Sequence, residues 1–176
     1  MLKKINKQCW LFSMGIAAAT GVASSALSGA GYTLYHLMIH PAGAPPWWLI
    51  VCVWTVLYAL LGSAAYLIFD TRLSVRTPIF TRFPPRNNGR GQRETALLLY
   101  GAQLGMNFLW GLFFFGFYWY FFALLWLAAQ IILAALTAKQ FLRINPLAGI
   151  LLAPYLLWLL YMAYLNYGFW LLNARF

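Results

Sequence analysis

Five long apolar stretches fill most of this 176-residue chain, and they restrict what it can fold into. Each stretch offers about 20 residues with few charges, and a helix of that length crosses a hydrocarbon core ~30 Å thick. Lipid provides no hydrogen-bond partners for the backbone, so a spanning segment must be a helix or part of a closed barrel. Barrel strands are shorter than these runs and alternate in polarity. The sequence therefore predicts an all-α membrane protein, a single-domain bundle of five transmembrane helices over residues 1–176.

The low charge content supports the membrane class. Charged residues make up 8% of the chain, whereas a soluble domain has about 25%. Between the second and third apolar stretches, a polar connector at 70–93 carries six arginines, and its Pro84-Pro85 pair argues against a continuous helix there. A proline-rich loop is expected at 32–46. The predicted helices lie approximately at 9–31, 46–69, 94–117, 120–142 and 147–173.

The basic residues fall on alternate sides of the predicted membrane. Eleven of the twelve Lys and Arg residues lie in the N-terminal head, the 70–93 connector and the turn after the fourth helix; the opposite side has only Arg175. Because cytoplasmic loops retain positive charge, the N-terminus is predicted inside and the C-terminus outside. This topology and contact with the lipid membrane explain the net charge of +10, and no nucleic-acid motif accompanies it. A bacterial cytoplasmic membrane is favoured, with an outer membrane as the alternative.

Few residues are available for acid–base or metal chemistry. The chain has two cysteines, two histidines and two acidic residues, and they are not spaced as metal ligands or as a catalytic triad. No nucleophile–base pair is recognisable. The sequence thus predicts no metal site, no catalytic residues and no required cofactor, and it favours a binding protein over an enzyme.

The third helix carries polar and small residues on opposite faces. Gln103, Asn107 and Trp110 are spaced so that they form one stripe, and amides are costly in hydrocarbon unless paired, so this stripe should face the bundle interior. Gly101 and Gly105 form a GxxxG pattern about 180° away. That outward face is predicted to pack on a second subunit or on a neighbouring helix, and the pattern alone does not separate the two.

Two other helices present aromatic and amide groups at helical spacing. The second helix places Trp54 and Tyr58 on one face, and the fifth places Trp158, Met162 and Asn166 similarly. Indoles that anchor a helix at the membrane surface cluster near its ends, but those of Trp54 and Trp158 lie deeper. Core packing explains such positions equally well. Aromatic walls with a few amides are also what a flat apolar ligand needs.

Three segments, in this order along the chain, resemble the signature motifs of the TspO/MBR family. They are PPWWLIVCVWTVLYALLGSAAYLIF at 45–69, YGAQLGMNFLWGLFFFG at 100–116 and PYLLWLLYMAYLNYGFWLLN at 154–173. The resemblance covers roughly residues 32–173. It implies a five-helix bundle, usually dimeric, that binds porphyrins, sterols and benzodiazepine-like ligands in a pocket under the 32–46 loop.

The resemblance also implies roles for particular residues. The lid of the pocket corresponds here to His40, Pro41, Pro45 and Pro46. Leu171 stands where the sterol-recognition pattern of animal members has a basic residue, which argues against sterol binding. The family's pocket positions match Trp54, Tyr58, Asn107, Trp110 and Trp158.

Residue patterns and resemblance together predict a ligand site formed by Trp54, Tyr58, Gln103, Asn107, Trp110, Trp158, Met162 and Asn166. The expected function is binding of porphyrins, other tetrapyrroles or similar flat apolar molecules, in sensing, regulation or transport, by a homodimer. One alternative is an enzyme that degrades porphyrin with light and oxygen. Another is a membrane scaffold whose glycine face recruits a partner and whose pocket is vestigial.

Overall fold

The computed structural model describes residues 7–27, 31–70 and 89–173, and every regular element in these ranges is helical. This agrees with the predicted all-α class. The helices are α1 Lys7–Leu27, α2 Gly31–Leu37, α3 Trp47–Phe69, α4 Gly89–Gly111, α5 Tyr120–Ile144, α6 Pro146–Ile150 and α7 Ala153–Asn173. α4 continues into a π-helical turn at Leu112–Gly116.

Four segments in the described ranges are long and apolar enough to cross a membrane. They establish an integral membrane protein and account for the second to fifth predicted spans. α1, with 21 residues, is not among them, so the count of five transmembrane helices stays a prediction. The four segments are Trp47–Phe69, Gly91–Gly116, Tyr120–Ile144 and Pro146–Asn173.

α1 packs closely along α3. The hydroxyl of Ser13 donates to the carbonyl of Gly62 over 2.8 Å, and the indole of Trp10 donates to the hydroxyl of Ser63 over 3.1 Å. A Cβ atom added to Gly62 would lie 2.5 Å from the Cα of Met14. A glycine on α3 therefore permits backbone contact between the two helices.

Two predicted boundaries are corrected by the structure. The predicted 32–46 loop begins with a helix, α2, because Tyr35 is buried there and the prolines start only at Pro41. The predicted fifth helix divides into α6 and α7. Pro154 explains this break, since its ring disfavours helical backbone around Ile150, four residues earlier.

The structure describes only part of the predicted 70–93 connector. Its last residues form the start of α4, five residues before the predicted Glu94, because arginine and glutamine are good helix formers. The guanidinium of Arg93 lies 4.7 Å from the centre of the Phe69 ring, where a cation–π contact links α4 to the end of α3. The rest of the connector, 71–88, lies outside the described residues, as do the first six residues of the basic head and Arg175.

Candidate functional site

A cavity of about 1000 Å³ lies between α1, α3, α4 and α7, with α2 at one end. Ligand pockets commonly measure roughly 300–1,000 Å³ and are lined mainly by apolar and aromatic groups. Leu11 and Val22 of α1 line the cavity yet are 58% and 70% exposed. The α1 side of the cavity therefore includes exposed apolar side chains. Six of the eight predicted ligand residues line it: Trp54, Tyr58, Asn107, Trp110, Met162 and Asn166.

The other two predicted residues lie outside the cavity wall. Gln103 is completely buried behind it, beside Tyr155. Trp158 meets the ring of Trp54 edge-on, with centroids 6.4 Å apart, and lines a separate apolar groove on the outer face of α3 and α7. Eight residues along a helix turn Trp158 about 80° away from Asn166, which is why the two side chains diverge.

The aromatic side chains of the cavity are stacked in pairs. Trp54 and Tyr58 lie 5.5 Å apart with their planes at 27°, and Trp110 and Phe114 lie 5.2 Å apart at 25°. α3 supplies the first pair, and α4 with its π-helical turn supplies the second. These flat apolar surfaces suit a planar hydrophobic ligand.

A hydrogen-bonded chain of side chains begins at the cavity wall. The amide nitrogen of Asn107 donates to the hydroxyl oxygen of Tyr58 over 3.0 Å. The amide nitrogen of Gln130 donates to the oxygen of Asn107 over 3.1 Å and to the hydroxyl of Tyr155 over 2.8 Å. Sequence reasoning missed Gln130 and Tyr155. An amide in the middle of the fourth apolar stretch was the available signal, since such a group needs a buried partner.

Asn166 forms a second polar link. With its amide oriented to satisfy both neighbours, it donates to the carbonyl of Tyr120 over 3.0 Å and accepts from the indole N–H of Trp110 over 3.2 Å. α7 is thus joined to α4 and to the start of α5 beside the cavity. The polar atoms of Trp110 and Asn166 are used within the protein.

Residues 38–46, here called the lid segment, lie against α7. The side-chain amide of Asn173 pairs with the backbone of Ile39, accepting from its N–H over 2.9 Å and donating to its carbonyl over 3.0 Å. Tyr161 donates to the carbonyl of Gly43, and Tyr164 to that of Ala42, each over 2.8 Å. Three side chains of α7 therefore fasten the lid segment, and no pattern in the sequence predicts these pairings.

The predicted lid residues form a layer over the end of the cavity rather than its wall. Pro41 packs on Gly168, where an added Cβ would lie 2.5 Å from the proline ring. His40 lies with its ring 4.6 Å from that of Tyr35, which does line the cavity. Pro45 is buried, and its carbonyl accepts from the Tyr35 hydroxyl, whereas Pro46 is exposed at the start of α3.

Tyr35 keeps the proton that it donates. Burial raises the pKa of its phenol above the ordinary value, and the neighbouring Tyr161 adds to this effect. The hydrogen bond from Tyr35 to the lid segment therefore persists across the physiological pH range.

Gly101 and Gly105 lie on the outer face of α4, as predicted. Both are exposed, and no atom of the described chain lies within 4 Å of a Cβ added at either position. They therefore make no close packing with another described helix of the same chain. Contact with a second copy stays a prediction.

Known proteins of one family match this chain over most of its length. The profile of the TspO/MBR family matches residues 11–171. The translocator protein of Homo sapiens is 32% identical over 168 residues, covering 92% of this chain and 89% of that protein. The tryptophan-rich proteins TspO of Archaeoglobus fulgidus and Chlorobaculum tepidum are 29% and 27% identical, and they cover 99% and 96% of this chain and 99% of each relative.

The match spans both the cavity-forming helices and the lid segment. A family profile over nearly the whole chain and relatives of similar length leave no large part of the described fold unaccounted for. This integral membrane protein belongs to the TspO/MBR family.

Proposed function

We propose that this protein binds tetrapyrroles or similar flat apolar molecules from the membrane and acts in their sensing, regulation or transport. The observation that carries the proposal is the cavity itself, in which stacked aromatic rings stand beside Asn107 and Tyr58. A porphyrin is a planar apolar ring, and aromatic faces with a few oriented polar groups match it. Relatives carry the names translocator protein and tryptophan-rich protein TspO.

The proposal includes a membrane setting and an assembly. We infer insertion in a cytoplasmic membrane with the N-terminus inside, because Lys and Arg lie mostly on one side of the spans. We also infer a homodimer in which Gly101 and Gly105 of α4 meet the same face of a second copy. Exposed small residues on a membrane helix support this, since they allow close approach of backbones.

Porphyrin titration with position-matched tryptophan variants tests the binding proposal. Protoporphyrin is added to the purified protein in detergent, and the Soret band gives the affinity independently of tryptophan fluorescence. Trp54→Leu and Trp110→Leu remove aromatic surface from the cavity and are expected to weaken binding about 5- to 150-fold, since loss of a stacked ring costs roughly 1–3 kcal/mol. Trp158→Leu is the matched control, because this indole lies outside the cavity.

The outcome separates a real site from adsorption to the micelle. Weaker binding in both cavity variants, with the Trp158 variant close to wild type, supports the proposal. Equal affinity in all four proteins means that the porphyrin does not occupy this cavity, and the proposed function is then wrong.

A further inference from the structure

We propose that Gln130 makes the cavity a hydrogen-bond donor rather than an acceptor at Tyr58. The Tyr58 hydroxyl then donates to the ligand, and the cavity favours ligands with uncharged acceptor groups. Gln130 is a positioning residue here, since it acts through Asn107 and does not line the cavity. The selected ligand carries an ester, ketone or amide carbonyl on an apolar frame. This inference rests on the proposed function, and it names the chemical class that the same cavity prefers.

The first step concerns the orientation of the Asn107 amide. Gln130 is completely buried and its amide nitrogen has two N–H groups, which point to the oxygen of Asn107 and to the hydroxyl of Tyr155. A side-chain amide oxygen facing an N–H group is satisfied, and the reverse orientation would place two donors against each other. While Gln130 keeps this orientation, in which its own oxygen has no partner among the described atoms, the nitrogen of Asn107 is held toward Tyr58.

The second step concerns the Tyr58 hydroxyl. Its oxygen accepts from the nitrogen of Asn107 over 3.0 Å, so its own proton does not point at Asn107. Tyr58 lines the cavity, and a group bound there can accept this proton. If the Asn107 amide turned over, its oxygen would take the Tyr58 proton, and the cavity would lose this donor.

The third step concerns the other polar groups around the ligand. The hydroxyl of Thr55 donates to the Val51 carbonyl of its own helix, and the indole of Trp110 can donate to Asn166. The described cavity lining contains no Lys, Arg, His, Asp or Glu. A buried carboxylate would therefore have no cation beside it and would be costly, whereas an uncharged carbonyl gains a hydrogen bond from Tyr58.

Two uncharged porphyrins test this preference in the intact protein. Protoporphyrin IX dimethyl ester carries carbonyl acceptors at its edge, and etioporphyrin carries only alkyl groups there. Wild type is expected to bind the ester about 3- to 10-fold more tightly than the alkyl porphyrin, the usual range for one net hydrogen bond. Gln130→Leu and Tyr58→Phe should each remove most of this ratio. Gln130 does not line the cavity, so etioporphyrin binding to the Gln130→Leu protein should stay within about 2-fold of wild type.

Two further variants separate positioning from general destabilisation. Combining Tyr58→Phe with Gln130→Leu should reduce the ratio no further, because both changes remove the same donor. Thr137→Val is the matched control and should keep the wild-type ratio, since its hydroxyl donates to the Leu133 carbonyl within α5 and it does not line the cavity. If Gln130→Leu does not fold, Gln130→Met preserves the length of the side chain and replaces it.

Each result has a definite reading. Equal binding of both porphyrins by wild type, or an equal loss of both in the Gln130 variant, overturns the inference while leaving porphyrin binding in place. Absence of any saturable porphyrin binding instead refutes the proposal that the ligand is a tetrapyrrole. The pair fluorenone and fluorene, which also differ in one carbonyl, then decides the inference: equal affinity overturns it, and a preference for fluorenone that Tyr58→Phe abolishes supports it.

Discussion

Gly62→Ala is expected to push α1 away from α3, and thereby to lower both the stability of the protein and the ligand affinity of the cavity between these helices. The added Cβ would lie 2.5 Å from the Cα and 2.9 Å from the backbone nitrogen of Met14. Both are backbone atoms, so no rotation of a side chain relieves the contact, and α1 as a whole must move. The hydrogen bond from Ser13 to the Gly62 carbonyl, 2.8 Å long, is then stretched or lost.

The expected magnitude follows from three effects. Overpacking costs about 1–3 kcal/mol, and the weakened hydrogen bond costs about 0.5–1.5 kcal/mol. Replacing glycine by alanine inside a helix returns about 1 kcal/mol. A net destabilisation of about 0.5–3.5 kcal/mol results, which for a chain of this size lowers Tm by roughly 1–14 °C. Ligand affinity should fall as well, since Met14 lines the cavity.

The assay is thermal unfolding in detergent, followed by tryptophan fluorescence, with and without porphyrin. Gly91→Ala is the matched control, because no atom of the described chain lies within 4 Å of its added Cβ and it is not part of the proposed dimer face. It keeps the gain in helix propensity without the overlap, so its Tm should equal or exceed that of wild type. A Gly62→Ala protein as stable as the Gly91→Ala protein would refute the close contact between α1 and α3.

Three further predictions concern the lid segment, the outer glycine face and photochemistry. Replacing Tyr161 and Tyr164 together by Phe removes two hydrogen bonds to the lid segment, which should raise backbone hydrogen exchange at residues 38–46 without affecting the centre of α5; unchanged exchange would argue against fastening of the lid by α7. Gly101→Leu and Gly105→Leu should abolish a cross-linked dimer band, while the porphyrin affinity of the monomer stays within about 2-fold, since the cavity lies elsewhere. A dimer band that persists would show that this glycine face is not the dimer contact. Under illumination, a binding protein without catalysis should bleach the Soret band at the same rate in wild type and in Trp54→Leu at equal bound porphyrin, and a slower rate in the variant would favour the degrading enzyme.

Sequence patterns predicted the parts of the site that lipid makes obligatory. Asn107 and Asn166 are amides within apolar helices, and the free-energy cost of exposing them to acyl chains points them inward. Both line the cavity, and helical phase brings Trp110 with Asn107. The long apolar runs likewise predicted α3 and α5 within a few residues, because hydrophobic length alone determines a spanning helix.

Rotation between neighbouring helices could not be predicted from one helix at a time. The angle of about 80° between Trp158 and Asn166 can be read from the sequence, but the position of α3 beside α7 decides that this angle takes the indole out of the cavity. Gln103 meets the rule for an inward amide but lies one turn from Asn107 along α4, beyond the cavity wall. Periodicity predicts which side of a helix is buried, and the neighbouring helices decide what it is buried against.

The buried amides connect the ligand site to the packing of the bundle. Tyr58, Asn107, Gln130 and Tyr155 come from α3, α4, α5 and α7, one residue from each helix. Such interhelical hydrogen bonds average about 0.6 kcal/mol each in membranes. These hydrogen bonds therefore orient the four side chains more than they add to the free energy of unfolding. Its outer end, Tyr58, is a wall of the cavity.

Tyr58, at the end of this hydrogen-bonded chain, and Asn107, inside it, should respond differently to substitution. Asn107→Leu removes both an acceptor for Gln130 and a donor to Tyr58, so it should lower stability as well as affinity for acceptor-bearing ligands. Tyr58→Phe removes only a hydroxyl and leaves the amide of Asn107 held by Gln130. A ligand that accepts from Tyr58 extends the chain by one hydrogen bond. Its binding should therefore stabilise the relative orientation of four helices, whereas an alkyl ligand of the same shape stabilises only the cavity wall.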